Sequence, residues 1–149
     1  MMRFYILIVL FFSSIGPSFS QNTTVFDIAR KGTLAEIEAL YKQNPELINT
    51  VDDRKSSPLL LACYRGNTEV ALFLAKKVDN VNYNSGMGTA LMAAVMSGKI
   101  EIVKSLIDVK ADLNQTDSQG KTALIYAAFF NKNDIAKALI DAGADKTKQ

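Results

Sequence analysis

The sequence predicts an all-α fold, a solenoid of about four stacked helix-turn-helix units joined by hairpin-like loops, and three observations predict it. Gly32, Gly66, Gly98 and Asn131 recur 34, 32 and 33 residues apart. Three related strings lead into the last three of these positions: SPLLLACYRG from Ser57, TALMAAVMSG from Thr89 and TALIYAAFFN from Thr122. A second amphipathic string follows each of the four, and polar, turn-rich segments separate the pairs in phase with them. A repeat of roughly 20 to 50 residues cannot bury its own apolar face, so neighbours must stack to form a continuous core.

The first twenty residues read differently from the rest, as an address. Arg3 supplies an early positive charge, Phe4 to Phe12 is unbroken apolar sequence, and a polar stretch interrupted by Gly16 and Pro17 follows. Ser18-Phe19-Ser20 then places small residues three before and one before a cut between Ser20 and Gln21, the pattern of an export signal. A membrane span needs roughly 20 apolar residues, about twice the length of this run, so an uncleaved anchor is the weaker reading. We therefore expect a signal peptide over 1–20, a repeat domain over 21–149, and no stable membrane insertion after cleavage.

The repeat domain divides into units at about 24–50, 51–83, 84–115 and 116–149. In each of the three related strings a hydroxyl residue (Ser57, Thr89, Thr122) stands where it can cap a helix N-terminus. Small residues follow where two helices must approach closely: Ala62 and Cys63, Ala93 and Ala94, Ala127 and Ala128. The string then ends at Gly or Asn, which tolerate the left-handed backbone of a helix stop. The second helices are LAEIEALYK from Leu34, TEVALFLAKK from Thr68, IEIVKSLID from Ile100 and NDIAKALIDAG from Asn133. Within them Ile102, Val103, Leu106 and Ile107 share one face, as do Val70, Ala71, Phe73 and Leu74. The loops are NTVDDRKS from Asn49, NYNSGMG from Asn82 and NQTDSQGK from Asn114.

Composition narrows the chemistry. With 17 basic and 15 acidic side chains the formal charge is +2, and no run of like charge is long enough to act as a polycation, so nucleic acid is not the expected partner. The chain has one cysteine and no histidine. That removes the usual zinc ligand sets, the Ser-His-Asp and Cys-His nucleophile systems, and any histidine pH switch. Cys63 has no partner for an internal disulfide and reads as a small core residue. Asp112, Asp117 and Asp145 could pass for a carboxylate set, but they occupy loop positions where such side chains bond their own backbone. We expect no catalytic residues, no metal and no cofactor.

The strings resemble the ankyrin repeat. Residues from LIDVKADLNQTDSQGKTALIYAAFFNKNDIAKALIDAGAD carry the likeness, with Ala111-Asp112-Leu113-Asn114 opening the loop, Asp117 and Gly120 in the turn, and Thr122-Ala123-Leu124 starting the helix. Ala144-Asp145 repeats the opening, and VFDIARKGTLAEIEAL is similar to the family's N-terminal unit, closed by Asn49. The resemblance covers about residues 24 to 147. The family's proline survives in its helix-opening tetrapeptide only as Pro58, and Leu60, Met92 and Ile125 replace its histidine. Because that histidine ties neighbouring loops by hydrogen bonds, the resemblance implies loops here that are less firmly pinned, or pinned by packing. Ser85-Gly86-Met87-Gly88 departs from the family's turn.

The resemblance also implies the working surface, a concave face made of loop tips and the exposed side of each first helix. By phase, that face carries Asp53, Arg54, Ser56, Tyr64 and Arg65 in one repeat, Ser85, Met96 and Ser97 in the next, and Ser118, Gln119, Lys121, Phe129 and Phe130 in the last. Aromatic and arginine anchors among short polar groups have the chemistry of a protein interface, and Tyr64, Arg65, Phe129 and Phe130 are the expected anchors. The expected function is a non-catalytic, monomeric binding module that holds an unidentified protein in the periplasm or outside the cell of a bacterium. An effector that binds a host protein is the alternative, and an enzyme or enzyme inhibitor ranks below both. Asn22-Thr23-Thr24 and Asn114-Gln115-Thr116 match a glycosylation triplet that is frequent by chance.

Overall fold

Hydroxyl side chains start the first helix of every pair. The computed structural model describes residues 23–148, so the signal segment and the Ser20–Gln21 cut lie outside the described residues. Helix α1 (Val25–Lys31) is capped by Thr24 and α2 (Leu34–Gln43) by Thr33, each in a capping box closed by Asp27 or Glu36. A 3-10 turn over Pro45–Asn49 follows. Ser57, Thr89 and Thr122 cap α3 (Pro58–Arg65), α5 (Ala90–Ser97) and α7 (Ala123–Phe129), accepting from the amides of Leu60, Met92 and Ile125. The second helices α4 (Thr68–Lys77), α6 (Ile100–Asp108) and α8 (Asn133–Asp141) have no such cap. Among the described residues no strand forms beyond one isolated bridge, Asn84 to Thr89, and no helix is long and apolar enough to cross a membrane.

The helices make two layers. α1, α3, α5 and α7 pack side by side in chain order, and α2, α4, α6 and α8 form a second row against them. The core between the rows is continuous, running from Ile28 and Ile37 through Leu74 and Met92 to Ile135 and Leu139, all of them buried. The expected all-α solenoid of stacked helix pairs is therefore the fold. Cys63 is fully buried in this core, and burial pushes its thiol far above the ordinary range, so it packs as a hydrophobe.

The turn between paired helices works as read at three positions. Gly66, Gly98 and Asn131 take left-handed backbone, with φ of 65°, 71° and 57°. Gly32 does not. Its φ is −81°, and glycine is required there because a Cβ would lie 2.6 Å from the Ile28 Cα. The Asn67 amide group crosses from the next repeat to the carbonyl oxygens of Ala29, at 3.2 Å, and Gly32, at 3.0 Å. The turn after α1 is thus held by the second repeat rather than by its own twist.

The loops correct one expectation outright. They are firmly pinned by hydrogen bonds, without the family's histidine. Asn49 Oδ1 accepts from the Asp79 amide at 2.9 Å, Asn82 Oδ1 from Asp112 at 2.7 Å, and Asn114 Oδ1 from Asp145 at 2.7 Å. Each bond joins one repeat to the next, so the three asparagines form a ladder along the stack. The place of Asn114 in this ladder gives the residue a structural role independent of glycosylation. Tyr83 adds a bond from its hydroxyl to the Lys55 carbonyl at 2.8 Å, and the Asn84 amide donates to the Thr116 carbonyl at 2.8 Å.

A second correction concerns Ala128, read as a close-packing residue. It is exposed, because it occupies in the last repeat the place that Val95 occupies in the preceding one, and no further repeat among the described residues lies over it. Ala62, Ala93, Ala94 and Ala127 are buried.

Candidate functional site

Hairpin tips and first helices present one side of the stack. In the second and fourth repeats a single aspartate shapes each tip. Asp52 Oδ1 accepts from the amides of Arg54 at 3.0 Å and Ser56 at 2.9 Å, and its other oxygen takes the Arg30 guanidinium at 3.0 Å. Asp117 Oδ1 accepts from Gln119 at 2.9 Å and Lys121 at 3.0 Å, while Oδ2 takes the Tyr126 hydroxyl. Burial pushes the Asp117 carboxyl up, but the bonds from Tyr126, Lys121 and Gln119, with the Lys121 charge, outweigh it and hold the group below the usual carboxylate range. The bond to Asp117 raises the Tyr126 hydroxyl in turn. Asp112 and Asp145 likewise accept from amides two residues on, those of Asn114 and Thr147, in the turn-forming role read for them.

The third tip is built otherwise. Asn84 stands where the aspartates stand and accepts only from the Gly86 amide, at 2.9 Å. The tip closes through a bond from the Ser85 amide to the Gly88 carbonyl at 3.2 Å, with Gly86 and Gly88 both at positive φ. Ser118 donates its amide to the Gly86 carbonyl at 2.9 Å, which couples this tip to the next. Met87, at the apex, is 83% exposed.

Five of the residues read as partner-binding line a single groove. Tyr64 and Arg65 from α3, Met96 and Ser97 from α5, and Phe130 just after α7 surround a volume of about 440 Å³. A narrower groove of about 110 Å³ continues from Tyr64 and Met96 toward the tips, bringing in Ser56 and Ser85 together with Leu60 and Met87. The structure therefore joins seven of the predicted residues across three repeats. Asp53 and Arg54 lie at the exposed second tip, and Ser118, Gln119 and Lys121 at the fourth, outside both grooves. Lys121 is directed to its own loop, donating to Gln119 Oε1 at 3.0 Å with its ammonium 5.8 Å from the centre of the Tyr126 ring.

The two phenylalanines differ. Phe130 is 43% exposed, stacks on Tyr126 with ring centroids 6.3 Å apart, and forms one wall of the groove. Phe129 is 79% exposed and touches the edge of Phe130, its ring centroid 5.1 Å away, without lining the groove. Repeat phase does not single out Met87, which lines the narrower groove, or Lys99 and Lys132, whose chains lie against Gly66 and Gly98 beside Arg65 and Ser97. Met87 had a local signal, a large apolar side chain between two glycines. The lysines follow the turn residues Gly98 and Asn131, a place where a cation can reach back over the preceding first helix.

Known proteins carry the same repeat in their sequences. The family described as Ankyrin repeats (3 copies) matches residues 25–117 and 79–149. The chain is 32% identical over 112 residues to "Probable E3 ubiquitin-protein ligase XBOS32" of Oryza sativa subsp. japonica, covering 72% of this chain and 23% of that protein. It is 28% identical over 98 residues to "Ankyrin repeat and SAM domain-containing protein 6" of Rattus norvegicus, covering 64% and 11%. It is 34% identical over 65 residues to "Ankyrin repeat and KH domain-containing protein 1" of Homo sapiens, covering 43% and 3%. The chain spans less than a quarter of the length of each of these relatives.

Proposed function

The chain belongs to the ankyrin-repeat family, whose stacked repeats are protein–protein interaction modules, and from that premise we propose that it is an exported, non-catalytic module that holds a partner protein on its first-helix face. The observation that carries this reading is the groove shared by Tyr64, Arg65, Met96, Ser97 and Phe130. Three consecutive repeats contribute to it, so its shape depends on the stack. Aromatic and arginine side chains there offer the large contact area and directed donors typical of interface centres. The name of the rice relative, an E3 ubiquitin-protein ligase, describes a protein of which this chain matches 23%.

Export to the periplasm or the exterior is supported by the sequence of residues 1–20, with its basic start, apolar run and Ser18-Phe19-Ser20 ending. Mass spectrometry of the protein recovered from the producing cell should find Gln21 as its N-terminus, and an intact Met1 in the membrane fraction would contradict export. For the binding face, the partner recovered by wild type should be lost with Arg65→Ala plus Phe130→Ala. Both residues are exposed, so the double variant should keep its helical circular dichroism. Equal recovery by a folded variant would sink the assignment of the face.

A further inference from the structure

Resting on the reading that the first-helix face holds a protein, we infer that the partner offers this groove an acidic, extended segment carrying one large apolar side chain. Tyr64, Met96 and Phe130 supply apolar walls, and the groove narrows toward the tips in the manner of a trough crossing the repeats. Its charged boundary is cationic. Arg65 lines the groove itself. The Lys99 chain runs against Gly66, where an added Cβ would come within 3.0 Å of Lys99 Cε. The Lys132 ammonium lies over Gly98, 3.0 Å from the corresponding point. Gly66 and Gly98 adjoin the groove residues Arg65 and Ser97, so all three cations border one site. Lys99 and Lys132 stand at the N-caps of α6 and α8, and their side chains reach the C-caps of α3 and α5, Gly66 and Gly98, where the free carbonyl groups favour a positive charge.

Among the described residues, none of these three cations pairs with a carboxylate. The ion pairs among the described residues are Arg30 with Asp27 and Asp52, and Lys137 with Asp141. Acids on the same side are mostly engaged: Asp27 in the α1 capping box, Asp52 and Asp117 in their tips. Asp53 is the exposed exception. Glu69, Glu101 and Asp134 occupy the first turns of α4, α6 and α8, where helix N-termini favour them, and none pairs with Arg65, Lys99 or Lys132. A near-neutral chain thus places around this groove three cations that have no carboxylate partner among the described residues. Acidic side chains flanking an apolar anchor would complement both, with the charges guiding encounter and register and the buried apolar group giving most of the affinity.

The test is selection from a random peptide library on the immobilised chain, followed by fluorescence anisotropy with a labelled peptide from the selected set. Selected peptides should carry Asp or Glu on both sides of a Leu, Phe or Trp, and binding should weaken with added salt. Arg65→Glu plus Lys132→Glu should weaken binding about tenfold. Should that variant melt abnormally, Arg65→Gln plus Lys132→Gln carries the same comparison. Neutral or basic selected peptides, no selection at all, or equal affinity for the folded charge variants would overturn the inference. So would Arg65-dependent binding to phosphatidylserine vesicles in place of peptides. A partner protein captured through Tyr64 and Phe130 with no dependence on Arg65 or Lys132 would leave the binding face standing and remove only its preference for acid.

Discussion

Helices α5 and α7 hold the same place in successive repeats and open with the same Thr-Ala-Leu, yet the stack treats them differently. All six residues from Ala90 to Val95 are buried in α5, whereas α7 buries only Ala123 and Ala127. The second helices follow suit: α6 buries Ile102, Val103, Ser105 and Leu106, and α8 only Ile135 and Leu139. An interior repeat is covered on two sides and the last described repeat on one. Sequence similarity therefore does not carry equal stability along the array, because in a solenoid each unit is stabilised by its own packing plus its interfaces with neighbours.

The sharpest way to break this comparison is to place the same charge at equivalent positions. Val95→Lys buries an unpaired ammonium and should cost more than about 4 kcal/mol, enough to unfold the array. Ala128→Lys should stay within about 0.5 kcal/mol. Urea denaturation followed by circular dichroism reads both, and similar losses would mean that the end of the stack is not open. Leu106→Ala should cost about 2 to 5 kcal/mol, with Leu139→Ala toward the low end of that range because an end repeat can collapse around the gap. The reverse order in the same experiment would contradict the comparison. Asn82→Ala removes one ladder bond and should cost about 1 kcal/mol, with faster hydrogen exchange at the Asp112 amide as its local sign.

The smallest effect separates the hairpin tips. Asp117 is held below the ordinary carboxylate range when folded, so its contribution is fully present above the unfolded value near 3.8 and is lost as pH falls through the lower folded value. Exchange of the Gln119 and Lys121 amides should accelerate in that acid window in wild type. Asp117→Asn should remove the acid-dependent part of that acceleration. The third tip has Asn84 at this position and should show no such titration. Acid-independent exchange at Gln119 in wild type would sink the assignment.

Much of the fold was legible because its signals are local. Ser57, Thr89 and Thr122 act within one helical turn, and Gly66, Gly98 and Asn131 stop helices by their own backbone. What escaped depends on distant partners. Gly32 shares the period but not the left-handed backbone, and its turn is held by Asn67, thirty-five residues on. Ala128 shares its repeat position with Val95 and lacks the covering neighbour. The asparagine recurrence at the head of each loop was visible, yet its meaning lies in amides about thirty residues away. Repeat phase placed the groove residues on one side, while the lysines bordering the groove arrive from the N-caps of the second helices α6 and α8 and carry no such label.

The asparagine ladder also has a mechanical consequence. Asn49, Asn82 and Asn114 each grip the backbone of the following repeat, which makes the loops a row of clips connected in series along the stack axis. A pull on the two ends loads every clip, and both end repeats among the described residues are covered on one side. The Asn49–Asp79 clip at one end has a second bond, from the Asn49 amide to the Asp79 carboxylate, whereas the Asn114–Asp145 clip at the other has one. Under tension the array should peel from that end, releasing α7 and α8 as a unit before the clips at Asn82 and Asn49 open.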